Sequence, residues 1–277
     1  PRLCENIAIN NCVISSRCNA IKLGTETNGG FKNIAISNCV VKPSKIEAKA
    51  FYGRENGLAG IALEIVDGGI MEGINISGIQ IDGSTAPIFI RLANRARSYS
   101  KDVKIGNVGT INHVSLSNIK AINAGNTGCS ITGIPGFNPT RISLNNISIN
   151  FAGGGKKDDV LRKIPERAAD YPESTMFGEL PAYGFYIRHA SNITLTNAIL
   201  SFKENDYRPA IFLDDVQKSL FSDIQLQNCN ESGSAFYLNK CNSVILKDNI
   251  MTGIKGKMVK GIESCDGIII KDNLPEN

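Results

Sequence analysis

Apolar and polar residues alternate with a period of two in short segments that recur along the chain. ENIAINNCVI from Glu5, KNIAISNCVV from Lys32, EGINISGIQI from Glu72, NHVSLSNIKA from Asn112, TRISLNNISI from Thr140 and SNITLTNAIL from Ser191 are copies of one pattern. Weaker copies start at Lys218, Asn242 and Asp266. Their first apolar residues are Ile7, Ile34, Ile74, Val114, Ile142, Ile193, Leu220, Val244 and Ile268. Most steps between them lie between 24 and 40 residues, and the step from Ile142 to Ile193 is 51. Alternation of this kind is the signature of a half-buried strand. No amphipathic helix of useful length separates the copies. The pattern therefore predicts an all-β fold in which short strands repeat once per coil and stack by parallel pairing, a β-solenoid, and argues against helical solenoids and propellers.

A second strand precedes most copies: AIKLGT from Ala20, GIALEIV from Gly60, PIFIRL from Pro87, CSITGI from Cys129, GFYIRH from Gly184, PAIFLDD from Pro209 and SAFYLNK from Ser234. In each, two apolar residues at i and i+2 are expected to face the core, from Ile21 and Leu23 to Phe236 and Leu238. The outward partners then form two rows. One is Lys22, Glu64, Arg91, Thr132, Arg188, Asp214 and Asn239; the other is Ala20, Ala62, Phe89, Ser130, Tyr186, Phe212 and Tyr237. The cations of the first row can pair with uronate carboxylates, and the aromatics of the second can stack on sugar rings. A solvated face in which Lys22, Glu64 and Arg91 neutralise one another is the plainer reading.

The fourth residue after each anchor is Asn11, Asn38, Gly78, Asn118, Asn146, Asn197, Asp248 and Asp272, with the Leu220 copy slipping by one. Two explanations stand: an asparagine ladder bonded from coil to coil, or the simple preference of Asn for turns. The longest break in the repeat, from about 151 to 183, holds GGGKKDD, a segment with helical potential (DVLRKIPERAAD) and YPESTMFGELPAYG. It is expected to wall a binding groove.

Composition narrows the function. The net charge of +4 admits a polyanionic partner but falls short of a nucleic-acid binder. No apolar run reaches the length of a membrane span. The Cys and His spacings suggest no zinc site and the GGGKK stretch lacks the spacing of a phosphate-binding loop. Cys12 and Cys39 take the slot of Ile79, Ile119 and Ile147, so they read as small buried hydrophobes. His113 starts a repeat and reads as structural, whereas His189 follows Arg188 and is a site candidate. Asn75, Asn146, Asn192 and Asn230 head glycosylation-type sequons of a kind common by chance.

The runs NAIKLGTETNGGFKNIAISNC, GLAGIALEIVDGG, PIFIRLANR and YPESTMFGELPAYGFYIRH resemble the polygalacturonase-like glycoside hydrolases (family 28), in their large bacterial branch. The likeness covers roughly residues 1–215, and the later coils more loosely. It implies a right-handed, single-stranded parallel β-helix in one domain over 1–277. It also implies hydrolysis of galacturonate-containing pectin with inversion and with no metal or other cofactor. The implied partner is a plant cell-wall polysaccharide (pectin, galacturonan or rhamnogalacturonan), with no nucleic acid and no membrane. The protein is expected to be monomeric, and secreted or periplasmic.

The chain departs from that pattern at three places. The Asn-Thr-Asp and Asp-Asp motifs that carry the family's catalytic carboxylates are not found, and the resemblance places them before Pro1. Together with the bare start on a repeat at Ile7, this leads to the expectation of N-terminal truncation. Arg17, Cys18 and Asn19 stand at the Gly-His-Gly position. Ala62, Leu63 and Glu64 stand at the Arg-Ile-Lys position. The catalytic candidates within the chain are Glu64 and Asp67. Arg17, Lys22, Glu26, Arg91, Tyr186, Arg188 and His189 are the candidates for substrate binding. The alternatives are a non-catalytic carbohydrate-binding β-helix, an adhesin or tailspike segment, and a pectate lyase, of whose acidic cluster only Asp214 and Asp215 give a hint.

Overall fold

The computed structural model describes residues 1–43, 56–227, 234–252 and 257–274; Cys229 and the Asn230 sequon lie outside them. Among these residues the chain is all-β, with parallel pairing throughout one 17-stranded sheet and only two short 3-10 helices, Lys157–Leu161 and Ile262–Ser264. Each repeat copy lies in register on the next: Ile7 against Ile34, Ile34 against Ile74, Ile74 against Val114, Val114 against Ile142, and Ile142 against Ile193. Strands therefore pair with their counterparts one coil away, as is consistent with a β-solenoid.

The core runs along the inside of these coils. Ile21, Leu23, Ile61, Leu63, Ile88, Ile90, Ile131, Phe185, Ile187, Ile211, Leu213, Phe236 and Leu238 are all buried in one cluster with the anchors Ile34, Ile74, Val114, Ile142, Ile193 and Val244, and Ile7 and Ile268 pack against it partly buried. Cys39 is 1% exposed beside Ile79 and Ile119, as expected of a cysteine filling an isoleucine slot.

The asparagine slot has a backbone cause. Asn11, Asn38, Asn118, Asn146, Asn197, Asp248 and Asp272 all have φ between 52° and 56°, and Gly78 has φ 67°. That left-handed region is costly for most L residues and least so for Gly, Asn and Asp. One asparagine rung forms at this slot, Asn146 Nδ2 donating to Asn118 Oδ1 at 2.7 Å. The residue before each anchor is left-handed too, from Asn6 to Gly267. Each copy is thus bounded by two corners five residues apart.

Two sequence expectations change. Leu220 pairs with Thr194, and Ser219 pairs with Val244. The anchor of this copy is Ser219, a buried hydroxyl that accepts from Ile193 N at 3.0 Å and donates to Gln217 O at 2.8 Å. Counted from Ser219, the slot falls on Asp223 at φ 55°, and no slip exists. Second, Lys22 pairs with Ala62, not Glu64. The observed rows are Lys22, Ala62, Phe89, Ser130, Tyr186, Phe212 and Tyr237, and beside them Glu64, Arg91, Thr132, Arg188, Asp214 and Asn239.

Lys218, exposed at φ 50°, bears the left-handed conformation without the help of a small side chain. Lys218→Gly is expected to stabilise the protein by about 1 kcal/mol, read as a higher urea midpoint at unchanged slope.

Candidate functional site

The insertion lies down on the outward face of the coils. Only Lys157–Leu161 is helical, as a 3-10 turn. Pro165 blocks helical extension, and the guanidinium groups of buried Arg91 and half-buried Arg188 take the carbonyls around it. Arg188 Nη1 donates to Ile164 O at 2.7 Å, and Arg91 Nη2 donates to Glu166 O at 2.6 Å. Ile164, Phe177, Leu180 and Ala182 pack on Tyr186 and Phe212, while Met176 reaches Ala59, Ala62 and Phe89. Tyr186 and Phe212 were expected to stack on sugars. They are 2% and 9% exposed because the insertion covers them.

Most of the expected N-terminal site residues lie under or beside this cover. Glu64 is 0% exposed. Its Oε2 lies 3.1 Å from Lys22 Nζ and accepts from Thr25 Oγ1 at 2.9 Å, while Oε1 is buried with no hydrogen-bond partner. Burial pushes its carboxyl up to about 7, against the pull of Lys22 and Thr25. A side chain at Gly24 would set its Cβ 2.8 Å from Glu64 Cβ, and φ there is +142°, so this rung is closed to anything larger than glycine.

Asp67 is likewise 0% exposed. Arg95 holds it through Nη2–Oδ2 at 2.5 Å and Nε–Oδ1 at 3.0 Å, and Arg97 N donates to Oδ1 at 2.9 Å. Neither carboxylate opens onto solvent, and both are taken up by ion pairs. Glu64 and Asp67, the catalytic candidates of the sequence, thus lie in buried ion pairs with Lys22 and Arg95.

Pro1 is exposed and has no side-chain acid or base to offer. With Arg2, Glu26, Asn28 and Arg97 it lines a cavity of about 470 Å³ that shares no residue with the groove described below.

Arg91, expected on an open track, is 1% exposed. It also donates to Gly133 O at 2.9 Å and Thr132 Oγ1 at 3.2 Å, and lies over the Phe177 ring. Burial pulls its guanidinium down to about 10, so it remains charged at neutral pH. Its role is to hold the insertion. Lys22 sits between Glu64 and, at 3.8 Å, Glu173 of the insertion. Glu26 is exposed and pairs with Arg95 and Arg97. Arg17 is half-buried, with Nη2 buried and without a hydrogen-bond partner among the described residues.

Tyr186, Arg188 and His189 come together at the other end of the insertion. A cavity of about 430 Å³ opens between Val160–Ile164 on one side and Tyr186, Arg188, Asp214, Tyr237 and Asn239 on the other. Arg188 is its centre: it pairs with Glu166 through Nη2, and its Nε lies 3.2 Å from Asp214 Oδ2. Asp214 also accepts from Tyr186 O–H at 3.1 Å and Asn239 Nδ2 at 2.8 Å. Burial first, then the Asp214 carboxylate, hold the Tyr186 phenol well above its usual range, so it stays a donor. Behind Arg188, the His189 ring lies 2.7 Å from Asp215 and 3.2 Å from Glu166. Phe212 stacks on Tyr237 at 4.7 Å between centroids.

Lys163 also lines the cavity, is exposed and makes no ion pair among the described residues. Lys163 and Glu166 were not singled out in the sequence, since the insertion carries no periodicity to orient them. Tyr237 is the aromatic of its row that stays half-exposed, Asp214 is one of the two acids noted in the sequence, and Asn239 stood in an outward row without a signal that set it apart from the covered rungs.

No family model matches the chain, and no curated protein matches it. Among solved structures, a candidate glycosyl hydrolase from Parabacteroides merdae is similar at 11% sequence identity, covering 75% of this chain and 82% of that one, with a TM-score of 0.34.

Proposed function

We propose that the chain is a glycoside hydrolase that binds and cleaves a pectin-type, galacturonate-containing polysaccharide in the groove around Arg188. In this reading the coil is a right-handed parallel β-helix, the hand that parallel crossovers adopt, and the protein is monomeric and works where the polymer is, secreted or periplasmic. The observation that carries the reading is the open cavity that gathers Arg188, Lys163, Tyr237, Asn239 and Asp214. A planar guanidinium and an ammonium suit a carboxylate, a half-buried tyrosine suits a sugar ring, and an amide suits its hydroxyls. The family resemblance in the sequence points to the same polymer.

Inverting hydrolysis breaks the glycosidic C–O bond while water forms a new one on the opposite face. One carboxyl gives its proton to the leaving oxygen, and a carboxylate takes one from the water. Asp214, which accepts from Tyr186 and Asn239 and faces Arg188, is the base of this proposal. Glu166, which pairs with Arg188 at the edge of the cavity and lies 3.2 Å from His189, would serve as the proton donor of this proposal. A second reading, binding without cleavage, is favoured by one observation: Glu166, Asp214 and Asp215 are all engaged by Arg188 or His189.

The test is to incubate the protein with polygalacturonate and rhamnogalacturonan, assaying new reducing ends and, separately, retention on the immobilised polymers. Release that Asp214→Asn and Glu166→Gln abolish supports hydrolysis at this site. Retention without release supports the second reading. Neither retention nor release overturns both. Arg188→Ala is expected to weaken binding by about 2 kcal/mol, roughly thirtyfold.

A further inference from the structure

We propose that Cys241 and Cys265 are an oxidative cross-linking site, at which a small-molecule disulfide converts the two thiols into a bond that staples the coil at residues 257–266 to the coil before it. The inference does not depend on the function proposed above.

Strand pairing brings the two cysteines together. Asn242 bridges Asp266 in parallel, so the residues before them, Cys241 and Cys265, stand one rung apart. Asp266 N donates to Cys241 O at 2.9 Å, which fixes that register at the cysteines themselves. Rungs of a parallel ladder are about 4.8 Å apart, inside the ~4.4–6.8 Å between Cα atoms that a disulfide spans. Cys241 N also donates to Cys265 Sγ at 3.3 Å, so the second sulfur leans over the first residue. Cys12 and Cys39 are one rung apart as well, between the pairs Asn10–Ser37 and Val13–Val40. There both thiols donate two residues back, to Asn10 O and Ser37 O, and the side chains run parallel. Cys241 keeps that arrangement toward Asn239 O, whereas Cys265 reaches Gly261 O, four residues back, and departs from it.

Both are free thiols, Cys241 2% exposed and Cys265 half-buried, so an oxidant meets Cys265 first. Burial pushes the Cys241 thiol up to about 12, which leaves it the later of the two to react. Cys265 Sγ attacks one sulfur of the small disulfide and displaces the other as a thiol. Cys241 Sγ then gives up its proton, bonds to Cys265 Sγ and displaces the second thiol. The cysteines lose two protons and two electrons, and the small disulfide leaves as two thiols. The bond forms where pairing is sparse: this coil meets the one before it through Phe236–Val259, Tyr237–Lys260 and the Asn242–Asp266 bridge. A solenoid coil is held by its neighbours alone, so closing the loop from 241 to 265 restrains an element that thin pairing leaves easy to open.

The experiment exposes the folded, reduced protein to glutathione disulfide, alkylates the remaining thiols and maps the peptides by mass. Hydrogen exchange is followed at Ala235 and Phe236, whose amides donate to Met258 O. The expected result is a linked Cys241–Cys265 peptide, lighter by two hydrogen atoms, and exchange about tenfold slower at these amides, both undone by dithiothreitol. Cys265→Ser, whose hydroxyl can still accept from Cys241 N, is expected to lose both responses. Cysteines that stay open to alkylation, a glutathione adduct that persists on Cys265, or a bond from either cysteine to another one would overturn the site, and the wild-type map decides this whether or not the variant folds. A bond that leaves exchange unchanged, or slowing that survives in Cys265→Ser, would overturn the stapling.

Discussion

Asp206→Ala is expected to lower stability by about 4 kcal/mol, the largest single loss among the buried polar positions. Asp206 and Arg208 are 2% and 1% exposed. Arg208 Nη2 lies 2.6 Å from Asp206 Oδ2, and its Nε lies 3.0 Å from Oδ1. Removing the acid leaves a guanidinium buried without its counter-charge. The pair also ties both roots of the insertion: Gly155 N donates to Asp206 Oδ2 at 3.0 Å, and Arg208 Nη1 donates to Leu180 O at 3.0 Å. Gly155 is required by the same clamp, since a Cβ there would lie 2.1 Å from Arg208 Nε. The variant should therefore unfold at lower urea and be cut earlier by protease between residues 153 and 182. The double variant Asp206→Leu/Arg208→Met removes both charges and is expected to regain most of the stability. It should not regain the protease resistance, because the carbonyl and amide at the roots stay unpaired. A loss under about 1 kcal/mol for Asp206→Ala would show that the insertion is held by its apolar face alone.

The contrast between the coils and the insertion explains what could be read from the sequence. Ile61 and Leu63, or Phe236 and Leu238, announce a core by their spacing alone, because strand parity fixes which side chains point inward. The row containing Lys22 was misassigned because parity says that Lys22 faces out but does not say which of two outward rows it joins; pairing with Ala62 settles that. Ser219 was passed over as an anchor because a hydroxyl does not count as apolar, although two hydrogen bonds satisfy it in the core. The site suffered most. Facing away from the coil was equated with meeting solvent, whereas Met176, Phe177 and Leu180 come back over that face and cover Phe89, Arg91 and Tyr186. The apolar residues of YPESTMFGELPAYG were the available signal: a loop that rich in Met, Phe, Leu and Pro has a surface to bury.

Covering Glu64 has a consequence for pH. Wild-type stability is expected to fall by about 3 kcal/mol between pH 4 and pH 8 relative to Glu64→Gln, and the two curves should run parallel above pH 8. The folded protein holds the Glu64 proton up to about 7, chiefly because burial disfavours the charge, whereas an unfolded glutamate releases it near ~4.3. Between these values the native state binds more protons than the unfolded one, so stability declines as pH rises; the contribution is complete below the lower value and gone above the upper. The groups facing Glu64 are Lys22, Thr25, Glu173 and Tyr171. Lys22 limits the decline: burial works against its charge, yet Glu64 and then Glu173 hold it above its ordinary value. The glutamine keeps a polar group at the site but cannot ionise, so it isolates this one titration from the carboxylates elsewhere. Urea unfolding at several pH values in both proteins gives the difference curve. A flat difference would mean that Lys22 keeps Glu64 ionised throughout, and that the pair is an ordinary salt bridge fastening the insertion to the first coils. A falling difference would mean that the insertion is seated most firmly in mild acid, where Glu64 carries its proton and Lys22 is left to Glu173.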